Sequence, residues 1–294
     1  MVTRSTLAPT LSIRPAELTA DQAANSVLCL DMAAQRLRIT LLDPQRRMVW
    51  LDEYAQPSLL TDDSLQTYLP ALFKEHPLLS YDTFQHVRVS VLSPAFTLIP
   101  STLYRKEYAS SYLSLMRGHQ PPPNELAHGY EHKEGFVSVF GIDRDVTEFM
   151  GEQYPMQPFT YVHQHTTLIQ ATRAVDRQLT SPENLFLYFE DDYVTVLFRH
   201  AHQLRYCNRF GYKNAQDLTY YVLYVLDELG VDPETVDAFV YGEITPFAET
   251  YTALSRFVPT LRIGQSPPGL NPSTELDELP DHRYLGLQGL CLLG

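Results

Sequence analysis

The strongest constraint on this chain is an order of elements that occurs twice. Val27–Asp31, Leu37–Leu42 and Met48–Leu51 read as three short strands joined by tight turns. The helix-period segment Ser64–Glu75 follows, and then the alternating run His86–Leu92. The pattern restarts after the break at Thr180–Asn184: strands Leu185–Phe189, Tyr193–Phe198 and Leu204–Asn208, helix Asn214–Leu229, strand Asp237–Tyr241. Period-two alternation marks the strands, because successive strand side chains face opposite ways. In the helices, apolar residues recur at spacings of three and four; Leu65, Tyr68, Leu69, Leu72 and Phe73 share one face. Thr61, Asp62 or Asp63 can cap the first helix, and Pro70 can kink it. Asn214 caps the second and Gly230 stops it. The repeat is too long for a solenoid, so it predicts a duplicated domain. Three strands joined by short turns form an antiparallel meander. A helical crossover then returns the fourth strand parallel to the first. The expected organisation is a loose lead-in over 1–25, a first unit over 26–180 and a second over 181–294.

Composition narrows the function classes. Thirty-five acidic against 22 basic residues give a net charge of −13, which repels polyanions and argues against nucleic-acid or anionic-membrane binding. Cys29, Cys207 and Cys291 are too scattered for a disulfide framework or a zinc cluster and read as buried thiols of a cytoplasmic protein. No apolar run approaches the ~20 residues of a membrane span, and residues 1–15 lack the apolar stretch of a signal peptide.

A meander, a crossover helix and a parallel strand open the ribonuclease H-like unit. Two such units in tandem resemble the actin-like ATPase architecture, an α/β fold with mixed sheets. Residues Leu185–Phe198, Leu204–Arg209, Ala215–Leu229 and Phe239–Gly242 are similar to the pilus-assembly PilM and secretion GspL families. Across most of residues 10–294, and best over Val87–Pro100, the chain resembles a bacterial family known only as a domain of unknown function.

The actin-like resemblance implies a nucleotide site with three parts. Glycine-bearing hairpin turns offer backbone N–H groups to phosphates. A strand-end acid holds Mg²⁺. A Gly-Gly turn admits the adenosine. The corresponding residues are Asp31 and Ala33 in the first turn (Asp31–Gln35), Glu190, Asp191 and Asp192 in the second, and Gly242 and Glu243 in the third. Asp31 stands where such families carry an aspartate, but both hairpin turns lack glycine, the second carries three carboxylates, and a Glu replaces the second adenosine glycine. The expectation is a scaffold with no catalytic residues, no metal and no cofactor, acting through another protein or a second copy of itself. A divergent Mg²⁺-dependent nucleotide binder or phosphotransferase using Asp31 and the 190–192 turn is the alternative.

Other constellations are weaker. Glu190–Asp192 could hold a cation, and solvated turn residues are the plainer reading. His163 with His165, and His200 with His202, would lie on one strand face; His128 and His132 could share a helix face. A two-metal nuclease needs an acid on the fourth strand, and His86–Leu92 has none. Tyr220, Tyr221 and Tyr224 exceed what one buried helix stripe needs and suggest either core packing or an interaction face.

Overall fold

The computed structural model describes residues 8–33, 35–55, 61, 64–190, 192–271, 274 and 276–294. Ala34, the capping candidates Asp62 and Asp63, and Asp191 lie outside the described residues. The chain forms two compact units, Met1–Thr167 with Leu270–Glu278, and Leu168–Gly269 with Leu279–Gly294.

In the first unit the expected loose lead-in carries a strand, β1 (Leu11–Ile13), and a short helix, α1 (Ala20–Ala24). Thr19 and Gln22 form a reciprocal capping box at the start of α1, satisfying end N–H groups that a helix cannot pair internally. Next come β2 (Val27–Ala33), β3 (Arg36–Leu42), β4 (Met48–Ala55), α2 (Leu69–Glu75) and β5 (His86–Val91). Pro70 leaves its mark: a wider π turn covers Ser64–Tyr68, and the α-helix begins only at Leu69, putting the missing N–H at its first turn.

An excursion follows, made of β6 (Phe96–Pro100), α3 (Ala109–Arg117), β7 (Glu125–His132) and β8 (Phe136–Asp143). Its three strands make a separate sheet in the order β6-β8-β7. Then α4 (Arg144–Gln153), N-capped by Asp143, leads to β9 (Phe159–His163) and α5 (Gln164–Asp176). The main sheet has the order β1-β4-β3-β2-β5-β9. β2 is buried along its whole length, as a central strand covered on both faces must be. Leu28, Leu30 and Met32 share a core with Leu37, Ile39 and Leu41, and with Leu69, Leu72 and Phe73 of α2.

The second unit contains β10 (Glu183–Glu190), β11 (Tyr193–His200), β12 (Gln203–Gly211), α6 (Ala215–Leu229), β13 (Asp237–Gly242), α7 (Glu249–Leu254), β14 (Arg262–Ile263) and α8 (Leu285–Cys291). Its sheet order is β12-β11-β10-β13-β14. Strand for strand this repeats β4-β3-β2-β5-β9, with the same antiparallel meander and the same parallel pairs. The turns fix the equivalence. Ala33 pairs with Arg36 across one two-residue turn, and Glu190 with Tyr193 across the other. Asp31 therefore corresponds to Tyr188, Arg38 to Thr195, Glu53 to Arg209 and Ser90 to Tyr241. The first unit adds β1, on the outer edge of β4, with α1, and the excursion between β5 and α4, where the second unit has only residues 243–248.

Two histidine expectations are corrected. His128 and His132 lie on strand β7, not on a helix. His163 ends β9 while His165 lies in α5, and His202 sits in the β11–β12 turn with φ +62°, so neither pair shares a strand.

Candidate functional site

In the first unit, Asp31 lies at the middle of a polar row that crosses the sheet. The register sets Ser90, Asp31, Arg38 and Glu53 side by side on β5, β2, β3 and β4. Arg38 is 1% exposed; its Nε donates to Glu53 Oε2 at 2.8 Å, and its Nη1 stands 3.8 Å from Asp31 Oδ2. The Ser90 hydroxyl is buried with no hydrogen-bond partner among the described residues. Removing these charges from water is tolerable only because acid and base face each other across neighbouring strands. Ala33 is buried at the end of β2, and Gln35 beyond it is exposed.

In the second unit, Glu190 is buried at the end of β10 and Asp192 is exposed. The Tyr212 N–H donates to the Asp192 carbonyl at 3.0 Å, and the Arg209 guanidinium lies 4.1 Å from the centre of the Tyr193 ring. Burial pulls the Arg209 pKa down, against the fields of Tyr193 and Glu190.

Gly242 ends β13 beside Phe189, the residue before Glu190, so Glu190, Gly242 and Glu243 do come together at adjacent strand ends. Gly242 has φ +86°. Its N–H donates to the His282 carbonyl at 2.9 Å, and the Glu243 N–H to the Phe189 carbonyl at 2.9 Å. The His282 Nε2 lies 3.0 Å from the Ile244 carbonyl oxygen, and Arg283 Nε 3.2 Å from Glu243 Oε1. The turn that would admit an adenosine is thus bonded to the chain's own segment 282–283. Behind it, Tyr188 and Tyr241 stand opposite each other, both buried, and burial drives the Tyr241 phenol far above its ordinary pKa.

Sequence reasoning missed Arg38, Glu53, His282 and Arg283. Arg38 was accessible in principle, since a two-residue turn after Ala33 sets it opposite Asp31, whereas Glu53 depends on the β3–β4 register, which shifts at Leu41–Leu42. The other two lie 40 residues from their partners and carry no local signal. Among the described residues, no three His, Cys, Asp or Glu side chains are grouped to hold a metal ion, and no helix is long and apolar enough to cross a membrane.

The duplicated sheets define the actin-like ATPase fold. A solved protein of that fold and of unknown function, from Bacteroides thetaiotaomicron VPI-5482, superposes with a TM-score of 0.76 over 95% of this chain and 100% of that one, at 22% identity. The PilM–PilN type IV pilus biogenesis complex matches with a TM-score of 0.55 over 90% of this chain and 97% of that one, at 14% identity. No curated protein matches this chain by sequence. The chain belongs to the DUF3822 family of proteins of unknown function, whose family model matches residues 15–261.

Proposed function

We propose that this chain is a non-catalytic member of the actin-like ATPase fold that works in the cytoplasm by binding another protein. The observation that carries the reading is the closure of the 242–243 turn: the Gly242 N–H and the Glu243 carboxylate are both engaged by residues 282–283. An adenosine entering there would have to displace bonds the chain makes to itself. Two further features point the same way. Arg38, paired at 2.8 Å with Glu53, also stands 3.8 Å from Asp31, so a Mg²⁺ ion at Asp31 would compete with a buried cation. The hairpin turns offer no glycine N–H to phosphates. The residues present therefore fit Mg²⁺-nucleotide poorly. PilM, of the same fold, belongs to a complex with PilN, which makes protein binding a reasonable use of such a scaffold.

Thermal unfolding with and without ATP and Mg²⁺ tests this. A nucleotide at 100 times its dissociation constant adds about 2.7 kcal/mol to stability. The expected result is no shift at millimolar ATP. A shift that disappears in Asp31→Ala would make the chain a nucleotide binder and overturn the proposal.

A further inference from the structure

The two units offer an internal comparison. In the first, the outer edge of the meander is already paired: β1 lies antiparallel on β4, Leu11–Ile13 against Leu51–Glu53. Thr10 N–H donates to the Glu53 carbonyl at 2.7 Å, and Arg14, just beyond β1, forks onto the Asp52 carboxylate at 2.9–3.2 Å. The equivalent stretch of the second unit is Cys207–Arg209 on β12, which pairs on its outer side with no strand among the described residues.

The hairpin geometry says which groups that edge presents. Ala201 and His202 both have positive φ and join His200 to Gln203 in a two-residue turn, so β11 turns the backbone groups of His200, Phe198, Val196 and Val194 toward β12. Tyr206, Asn208 and Phe210 therefore bond inward, and the N–H and C=O of Cys207 and Arg209 point outward. In agreement, the Arg209 N–H is capped by its neighbour, the Asn208 side-chain oxygen, at 2.9 Å.

The two faces beside this edge differ. On the helix side, Phe210 stacks on Tyr221 (5.1 Å) and Tyr220 on Tyr224 (6.0 Å), while Tyr220 and Tyr224 remain 63% and 50% exposed. The acids of α6 fall in its first and last turns, so the middle stretch is aromatic, with Tyr224 hydrogen-bonded to Glu228 at its C-terminal end. On the other face stands Arg209, over the Tyr193 ring and in the field of Glu190, its Nη1 buried without a hydrogen-bond partner among the described residues, and Arg205 is exposed nearby. β12 carries two bases and no acid in a chain of net charge −13. Charges and a bulge are also how an edge guards against aggregation, but here the bulge at Phe198–Arg199 lies at the turn end and leaves Tyr206–Gly211 regular. Two copies meeting antiparallel about Cys207 would set Arg205 against Arg209, so the edge disfavours self-pairing.

We propose that β12 accepts an extended segment of a partner protein as an added antiparallel strand, with alternate apolar side chains on the Tyr220–Tyr224 platform and acidic ones facing Arg209. Main-chain bonds would supply affinity and the two faces specificity. The proposal rests on the reading that the chain holds another protein, but not on the state of the 242–243 turn.

Fluorescence anisotropy on the full chain tests it with an octapeptide of alternating valine and glutamate. Its controls are a valine–lysine twin and a glutamate version N-methylated along its pairing edge. The glutamate peptide should bind at least about tenfold more tightly than the lysine twin in low salt, and N-methylation should abolish binding. Arg205→Glu and Arg209→Glu should erase the charge preference, and Tyr220→Glu with Tyr224→Glu should weaken binding at least about tenfold while leaving the melting temperature nearly unchanged. Equal binding of the two charge versions, retention of binding after N-methylation, or a dimer of the chain broken by Tyr220→Glu would each overturn the proposal. ATP and Mg²⁺ titrated into the same samples keep a failed edge distinct from a failed non-nucleotide reading.

Discussion

Gly242→Ala should unfold the second unit at temperatures where the natural chain is intact. The Cβ it introduces would lie 2.0 Å from the Phe189 carbonyl oxygen, a backbone atom held in the β10–β13 pairing that cannot step aside. The residue also sits at φ +86°, which costs any L side chain about 1 kcal/mol. Strain and clash together should cost about 3–5 kcal/mol, or a fall of roughly 10 °C in Tm. Gly118→Ala supplies the control: its φ is +74°, but nothing lies within 4 Å of the added atom, so only the conformational cost remains. Differential scanning calorimetry of both variants separates the effects. A Gly242→Ala chain that melts no lower than Gly118→Ala would show that the close approach to Phe189 is relieved cheaply.

The second large effect belongs to Asp52, at the centre of a buried network in the first unit. Its carboxylate accepts from His76 Nε2 (2.7 Å), Trp50 Nε1 (2.7 Å) and the Arg14 fork, while His76 Nδ1 accepts from the backbone N–H groups of Leu78 and Leu79. Asp52→Ala strands these donors and should cost about 3–5 kcal/mol. Burial pushes the carboxyl pKa up, but the bonds from His76, Arg14 and Trp50 outweigh it and hold the value near 2, below the ordinary 3.8. The folded state therefore prefers the ionised form. Its contribution, about 2 kcal/mol, is complete above pH 5 and is lost as pH falls from 4 toward 2. Urea denaturation followed from pH 6 to pH 2 should show a flatter acid limb for Asp52→Asn than for the natural chain. Identical acid limbs would remove Asp52 from the linkage.

What the sequence made legible follows from how local each signal is. The two meanders and α6 announced themselves because alternation, Asn214 and Gly230 all act within a few residues. β7 escaped because His128 and His132 share a face at a spacing of four in either a helix or a strand, and Glu125–His132 holds few large apolar residues. β1 escaped because three residues carry no pattern; they are fixed by pairing with Glu53 and by Arg14 on Asp52, 38 positions away. The capping box at Thr19–Gln22 was a readable sign that the lead-in is built. At the candidate site, Asp31, Gly242 and Glu243 could be named from the actin-like resemblance. The facing Arg38 needed the strand register, and the closure by His282 and Arg283 needed the folded chain.

The division of the chain has a practical corollary. The polypeptide passes between its two units three times, after Thr167, Gly269 and Glu278. In the first unit, the returning piece is anchored by Asn271, whose side-chain amide and N–H donate to the Gln45 and Arg46 carbonyls. Truncation therefore treats the units unequally: Met1–Thr167 alone lacks Leu270–Glu278, whereas removal of the first 167 residues keeps both segments of the second unit, joined through 270–278. A gene product ended after Thr167 would carry the first unit robbed of a segment, so isolating that half calls for a rejoined or co-expressed chain.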